Sequence, residues 1–95
     1  MIRTLLKTNA FIKSAKDFIS SYPDKAEAIS ITLNTLHENM YESKLRTHKL
    51  KGKLSGLYAC SAGYDIRIVF EVIKDSKSVT ETILLEAIGT FEEVY

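Results

Sequence analysis

The chain is poor in the residues that mark several protein classes. One cysteine, Cys60, in 95 residues leaves no internal disulfide to form. Two histidines, His37 and His48, fall short of a zinc-ligand set with the usual spacing. One proline, Pro23, and four glycines exclude a collagen-like, repeat or low-complexity chain. No apolar run approaches the ~20 residues of a membrane span, and the segment Met1–Leu6 before Lys7 is too short for the apolar core of a signal peptide. A metal-free cytoplasmic protein with no membrane partner is therefore expected. A net charge of only +1 means that any attraction for a polyanion must come from a local cluster rather than from the chain as a whole.

What is present is an ordinary globular composition, 45% hydrophobic and 26% charged, in a length that supports one core and one domain spanning residues 1–95. Ile2–Lys7 reads as a short first strand, and Thr8-Asn9 after it as a helix cap. From Ala10 onward, Phe11, Ala15, Phe18, Ile19 and Tyr22 recur at intervals of three and four, which predicts an amphipathic helix. Ser21-Tyr22-Pro23-Asp24 breaks it, because proline disfavours helical geometry in the preceding residue and suits the first turn of the next helix. A second helix is predicted from about Asp24 to about Met40, carrying Ala26, Ile29, Leu33, Leu36 and Met40 on one side. Strands follow over Gly56–Ser61, Asp65–Ile73 and Val79–Ile88, with a turn at Ala62-Gly63 and a polar turn from Lys74 to Ser78. The predicted fold is α+β: a two-helix hairpin packed on one face of a four-stranded, mainly antiparallel sheet, in the order β-α-α-β-β-β. Alternation in the central strand puts Ile66, Ile68, Phe70 and Val72 beneath the helices and Arg67, Val69 and Glu71 on the other, open face.

The chain is organised around Leu45–Phe70. Lys44, Arg46, Lys49, Lys51 and Lys53 cluster around His48, with no acid until Asp65. Such a cluster makes a positive field that suits the phosphates of a nucleic acid. The hairpin that follows would bring Asp65 and Arg67 near it.

Three stretches resemble the RelE/ParE superfamily of bacterial toxins, and within it the YafQ-like and RelE/StbE-type messenger-RNA interferases. They are Leu45-Arg46-Thr47-His48-Lys49-Leu50-Lys51-Gly52, Gly63-Tyr64-Asp65-Ile66-Arg67-Ile68-Val69-Phe70, and the ending Gly89-Thr90-Phe91-Glu92-Glu93-Val94-Tyr95. The resemblance implies a toxin silenced by a co-encoded antitoxin. It implies an endoribonuclease that cuts messenger RNA in the ribosomal A site by attack of a ribose 2′-hydroxyl, without a metal or other cofactor. His48 falls where the YafQ-like branch has an active-site histidine and Asp65 where it has an aspartate. Arg67 falls at the catalytic arginine of RelE-like members, and Tyr95 at the aromatic hydroxyl residue closing their Glu-Val-Tyr motif. Phe91 departs from the pattern, since YafQ-like members have a histidine there, and Ser61 stands about where that branch has another.

Each of these residues also has a plainer reading. In-line attack on phosphorus needs a proton acceptor, cations around the developing charge and a donor for the leaving oxygen. An imidazole can take and give a proton near neutral pH, but His48 could equally be a surface loop residue, and His37 reads as structural. The guanidinium of Arg67 could fork onto phosphate oxygens or pair across strands with Glu71 or Glu86. Arg46, Lys49, Lys51 and Lys53 would contact phosphates without reading bases, or be solvated. Asp65 could orient His48 or Arg67, or cap a turn. Tyr64, Phe91 and Tyr95 offer faces for an unstacked base, and Phe91 could instead fill an apolar gap. Cys60 reads as a half-buried strand residue. The expected partners are an acidic cognate antitoxin in a toxin–antitoxin hetero-oligomer, messenger RNA and the ribosome. The alternatives are a catalytically weakened relative that mainly binds its antitoxin, and a ParE-like gyrase inhibitor.

Overall fold

A computed structural model describes residues 3–63, 65–74 and 80–90. The first strand, β1, is Thr4–Lys7, and α1 runs from Asn9 to Ser21. Thr8 caps α1 as its position suggests: its hydroxyl accepts from the Phe11 N–H at 3.0 Å and donates to the Leu85 carbonyl at 2.7 Å. One side chain thus starts the helix and ties it to the sheet. Pro23 opens a single 3-10 turn over Pro23–Lys25, and α2 follows over Ala26–Glu38. It ends two residues before Met40, which is buried nonetheless.

The remaining elements are β2 (His48–Lys49), β3 (Tyr58–Ser61), β4 (Ile66–Lys74) and β5 (Glu81–Thr90). Among the described residues the sheet has five strands rather than the expected four, in the order β1-β5-β4-β3-β2. The added strand is His48–Lys49, within the stretch read from sequence as a basic loop. Two polar residues carry no strand signal of their own, and their pairing is imposed by β3, which they meet antiparallel as His48 opposite Ala59 and Lys49 opposite Tyr58. β1 lies parallel to β5, whereas every other pairing is antiparallel.

The helices cover one face, as expected. Phe11 and Phe18 from α1, Ile29 and Leu36 from α2, and Met40 pack with Ile66, Ile68, Phe70, Ile83, Leu85 and Ile88, with Val72 half-buried beside them. Cys60 belongs to this core and is fully buried, not half-buried, because it sits opposite Ile68 on the helix side. Burial pushes its thiol up to about 12, with the positive charge of Arg67 working weakly the other way. Ile83 and Leu85 share parity but Ile88 does not. The change is made by a bulge, since Val69 pairs with Ala87 while Phe70 pairs with Leu85, leaving Glu86 as an extra residue. Without it, Ile88 would turn from the core.

β1 pairs with β5 only as far as Leu85, so the outer edge of β5 beyond that point needs another partner. Ser14 on α1 supplies it. Its hydroxyl donates to the Ile88 carbonyl and accepts from the Ile88 N–H. At the other end of β1, Arg3 binds Glu81 at 2.8 Å, its N–H reaches the His37 carbonyl, and its guanidinium lies 5.8 Å from the Tyr41 ring centre.

Candidate nucleic-acid interface

The register across the sheet decides which of the candidate residues share a surface. His48, Ala59, Val69 and Ala87 form one row on the face opposite the helices, and Ser61, Arg67 and Gly89 form a parallel row on that same face. With strands about 4.8 Å apart and about 3.3 Å per residue, the Cα atoms of His48 and Arg67 are ~12 Å apart in a flat sheet. Two long side chains at that separation can address one ribose-phosphate unit. This face is not evenly open, for Ala59 and Val69 are buried, and Val69 is flanked on its own strand by the longer Arg67 and Glu71.

Arg67 is half-buried near the tip of the β3–β4 hairpin. Its Nη1 donates to the Ile66 carbonyl at 3.1 Å and, at the limit of a hydrogen bond, to the Gly63 carbonyl at 3.4 Å. The residues directly opposite it are Ser61 and Gly89, whereas Glu71 is paired with Leu84.

His48 is exposed on the edge strand, and its Nδ1 lies 2.9 Å from the Arg46 carbonyl. Leu45, 2% exposed, roots this segment in the core, and the Thr47 hydroxyl donates to the Met40 carbonyl. The basic run is thus held at both sides of Arg46. Arg46, Lys51 and Lys53 are exposed, the last within a 3-10 turn over Gly52–Leu54. Lys49 is different. Its strand position puts it on the helix side with Tyr58, and its Nζ lies 5.9 Å from the centre of the Tyr58 ring, which in turn stacks on Phe70 at 5.7 Å.

Asp65 does not join His48. It is exposed at the hairpin tip and lines a cavity of about 300 Å³ on the helix side with Phe18, Tyr22, Lys25 and Ala28. Tyr64, Phe91 and Tyr95 lie outside the described residues. Ser61, which the resemblance sets about where the YafQ-like branch has another histidine but which is not among the expected site residues, stands beside Arg67 on the His48 face.

Among the described residues no group of three or more His, Cys, Asp or Glu side chains is gathered as a metal-ligand set, and no helix is long and apolar enough to cross a membrane. The sequence matches no family model and no curated protein. Solved structures do match. YafQ from E. coli is similar over 98% of both chains, with 14% identity and a TM-score of 0.77. A copper-bound mutant toxin from Helicobacter pylori is similar over all of both chains, with 21% identity and a TM-score of 0.73. The E. coli DinJ-YafQ toxin-antitoxin complex contains a chain similar over 100% of this one and 99% of its own length, with 13% identity and a TM-score of 0.72. The chain therefore has the fold of these toxin structures, the fold that the resemblance to the RelE/ParE superfamily led us to expect.

Proposed function

We propose that this protein is the toxin of a toxin–antitoxin pair and acts as an endoribonuclease on messenger RNA at the ribosome. The observation that carries the reading is the placement of Arg67 and His48 on one face of the sheet, away from the helices, in a fold shared with known toxins. His48 takes the proton of a ribose 2′-hydroxyl as its oxygen bonds to phosphorus. The bond from phosphorus to the 5′ oxygen breaks, and that oxygen collects a proton, leaving a 2′,3′-cyclic phosphate and a 5′-hydroxyl. Arg67 balances the charge that grows on the phosphoryl oxygens, and Arg46, Lys51 and Lys53 hold the flanking phosphates without reading sequence. Tyr95 is assigned to position or protonate the leaving group, and Tyr64 and Phe91 to stack on bases. Asp65, two residues from Arg67 in sequence but on the helix side of the hairpin tip, is given no direct part in this reaction. The partner is an antitoxin, as in the DinJ-YafQ complex, and an acidic segment of it would neutralise the basic run.

Induced expression should arrest growth and cut transcripts, and Arg67→Ala should lower cleavage by about 10²–10³, the usual effect of removing one donor to a developing oxyanion. Undiminished cleavage by that variant would reject the assignment. A second reading rests on Phe91, which stands where YafQ-like toxins have a histidine. If the protein is a weakened nuclease, Phe91→His raises cleavage sharply. DNA breaks in place of RNA fragments would instead identify a gyrase inhibitor.

A further inference from the structure

Among the described residues, Arg46 is the one non-glycine with a positive φ, at φ 53° and ψ 41°. Side chains other than glycine, asparagine and aspartate seldom occupy this left-handed region, so an arginine there needs a reason. The conformation is held from several sides. The Arg46 N–H closes the 3-10 turn Ser43–Leu45 on the Ser43 carbonyl, Leu45 is buried before it, and Thr47 is anchored to Met40 after it. Backbone strain that is over-determined in this way gathers at functional sites. Its consequence here is local: the Arg46 carbonyl meets Nδ1 of His48 two residues on, at 2.9 Å.

A carbonyl oxygen has no proton to give, so Nδ1 is the donor in this contact. This contact favours the neutral form that carries its proton on Nδ1 and its basic lone pair on Nε2, the nitrogen farther from the backbone. We propose that Arg46 is a positioning residue acting through its main chain: its left-handed backbone holds His48 as the Nδ1–H tautomer, so that Nε2 is the proton-accepting nitrogen. This rests on His48 being the proton carrier of the ribonuclease reading. It also gives Arg46 a role distinct from phosphate contact, because the carbonyl persists when the guanidinium is removed.

The test is imidazole ¹⁵N NMR of the whole chain above pH 8, with His48 distinguished from His37 by the His48→Gln spectrum. The expected result is a dominant Nδ1–H form for His48, the reverse of an unconstrained histidine. Arg46→Gly and Arg46→Asn, which tolerate the left-handed backbone, should keep that tautomer, and the cleavage they lose with the guanidinium sets the reference for the next variant. Arg46→Val, equally uncharged but averse to positive φ, should shift His48 toward Nε2–H and lower cleavage tenfold or more below those two variants. A dominant Nε2–H form in the unaltered protein would overturn the proposal, whatever the variants do. So would equal tautomer populations in folded Arg46→Gly and Arg46→Val. Failure of the ribonuclease reading looks different: the unaltered protein would not cleave RNA, or His48→Gln would cleave as well as it does, while the NMR result stood.

Discussion

Replacing Ser14 by alanine tests whether α1 stands in for a missing strand. The hydroxyl makes two hydrogen bonds to one residue, accepting from the Ile88 N–H and donating to the Ile88 carbonyl, at an edge that β1 no longer covers after Leu85. A typical intramolecular hydrogen bond contributes about 0.5–1.5 kcal/mol net, and leaving a buried partner unsatisfied costs about 1–3 kcal/mol. Both bonds are only partly buried, so water recovers some of the loss, and the expected destabilisation is about 1–2.5 kcal/mol. For a domain of this length each kcal/mol corresponds to a fall of roughly 4–8 °C in Tm. Urea unfolding monitored by circular dichroism should show a lower midpoint with an unchanged slope, and Ser14→Thr, which keeps the hydroxyl, should lose less than half as much. A Ser14→Ala protein within 0.3 kcal/mol (~0.3) of the parent would refute the claim that this side chain closes the β5 edge.

The buried thiol of Cys60 makes stability fall at alkaline pH. Its folded value is raised from 9.0 to about 12, so the contribution is fully present below 9.0 and is lost as the pH rises toward the folded value. The slope is about 1.4 kcal/mol per pH unit in that window, and Cys60→Ala should remove this dependence; the same thiol should resist alkylation at pH 8 until the chain unfolds. Arg3→Met should destabilise by about 1–3 kcal/mol in chemical denaturation, because Glu81 would lose a partner at 2.8 Å with both side chains largely buried. Salt should weaken that effect little, in contrast to a surface pair. Glu81→Gln in the Arg3→Met background should then cost much less than in the parent, the coupling expected of residues in direct contact.

What could be read from the sequence alone were properties carried by neighbours along the chain. The three-and-four spacing of Phe11, Phe18, Ile29 and Leu36 predicts two amphipathic helices, Thr8 and Pro23 mark helix starts, and the alternation of Ile66, Ile68 and Phe70 picks the buried face of the central strand. Each is a local preference that repeats over several residues, and the structure keeps all of them. The strand status of His48 and Lys49, the parallel docking of β1 on β5, the bulge at Glu86 and the left-handed turn at Arg46 have no such repeat behind them. They arise from pairing between residues far apart in the chain and from packing that forces a local compromise. For the same reason the basic run, legible as a charge cluster, divided only on folding: register turned His48 to the face of Arg67 and Lys49 to the other, while Asp65 went to the hairpin tip. A strand's side chains reverse sides with every residue, so a shift of one position in pairing exchanges the two faces, and that position is set by the assembled sheet rather than by the residues that bear the chemistry.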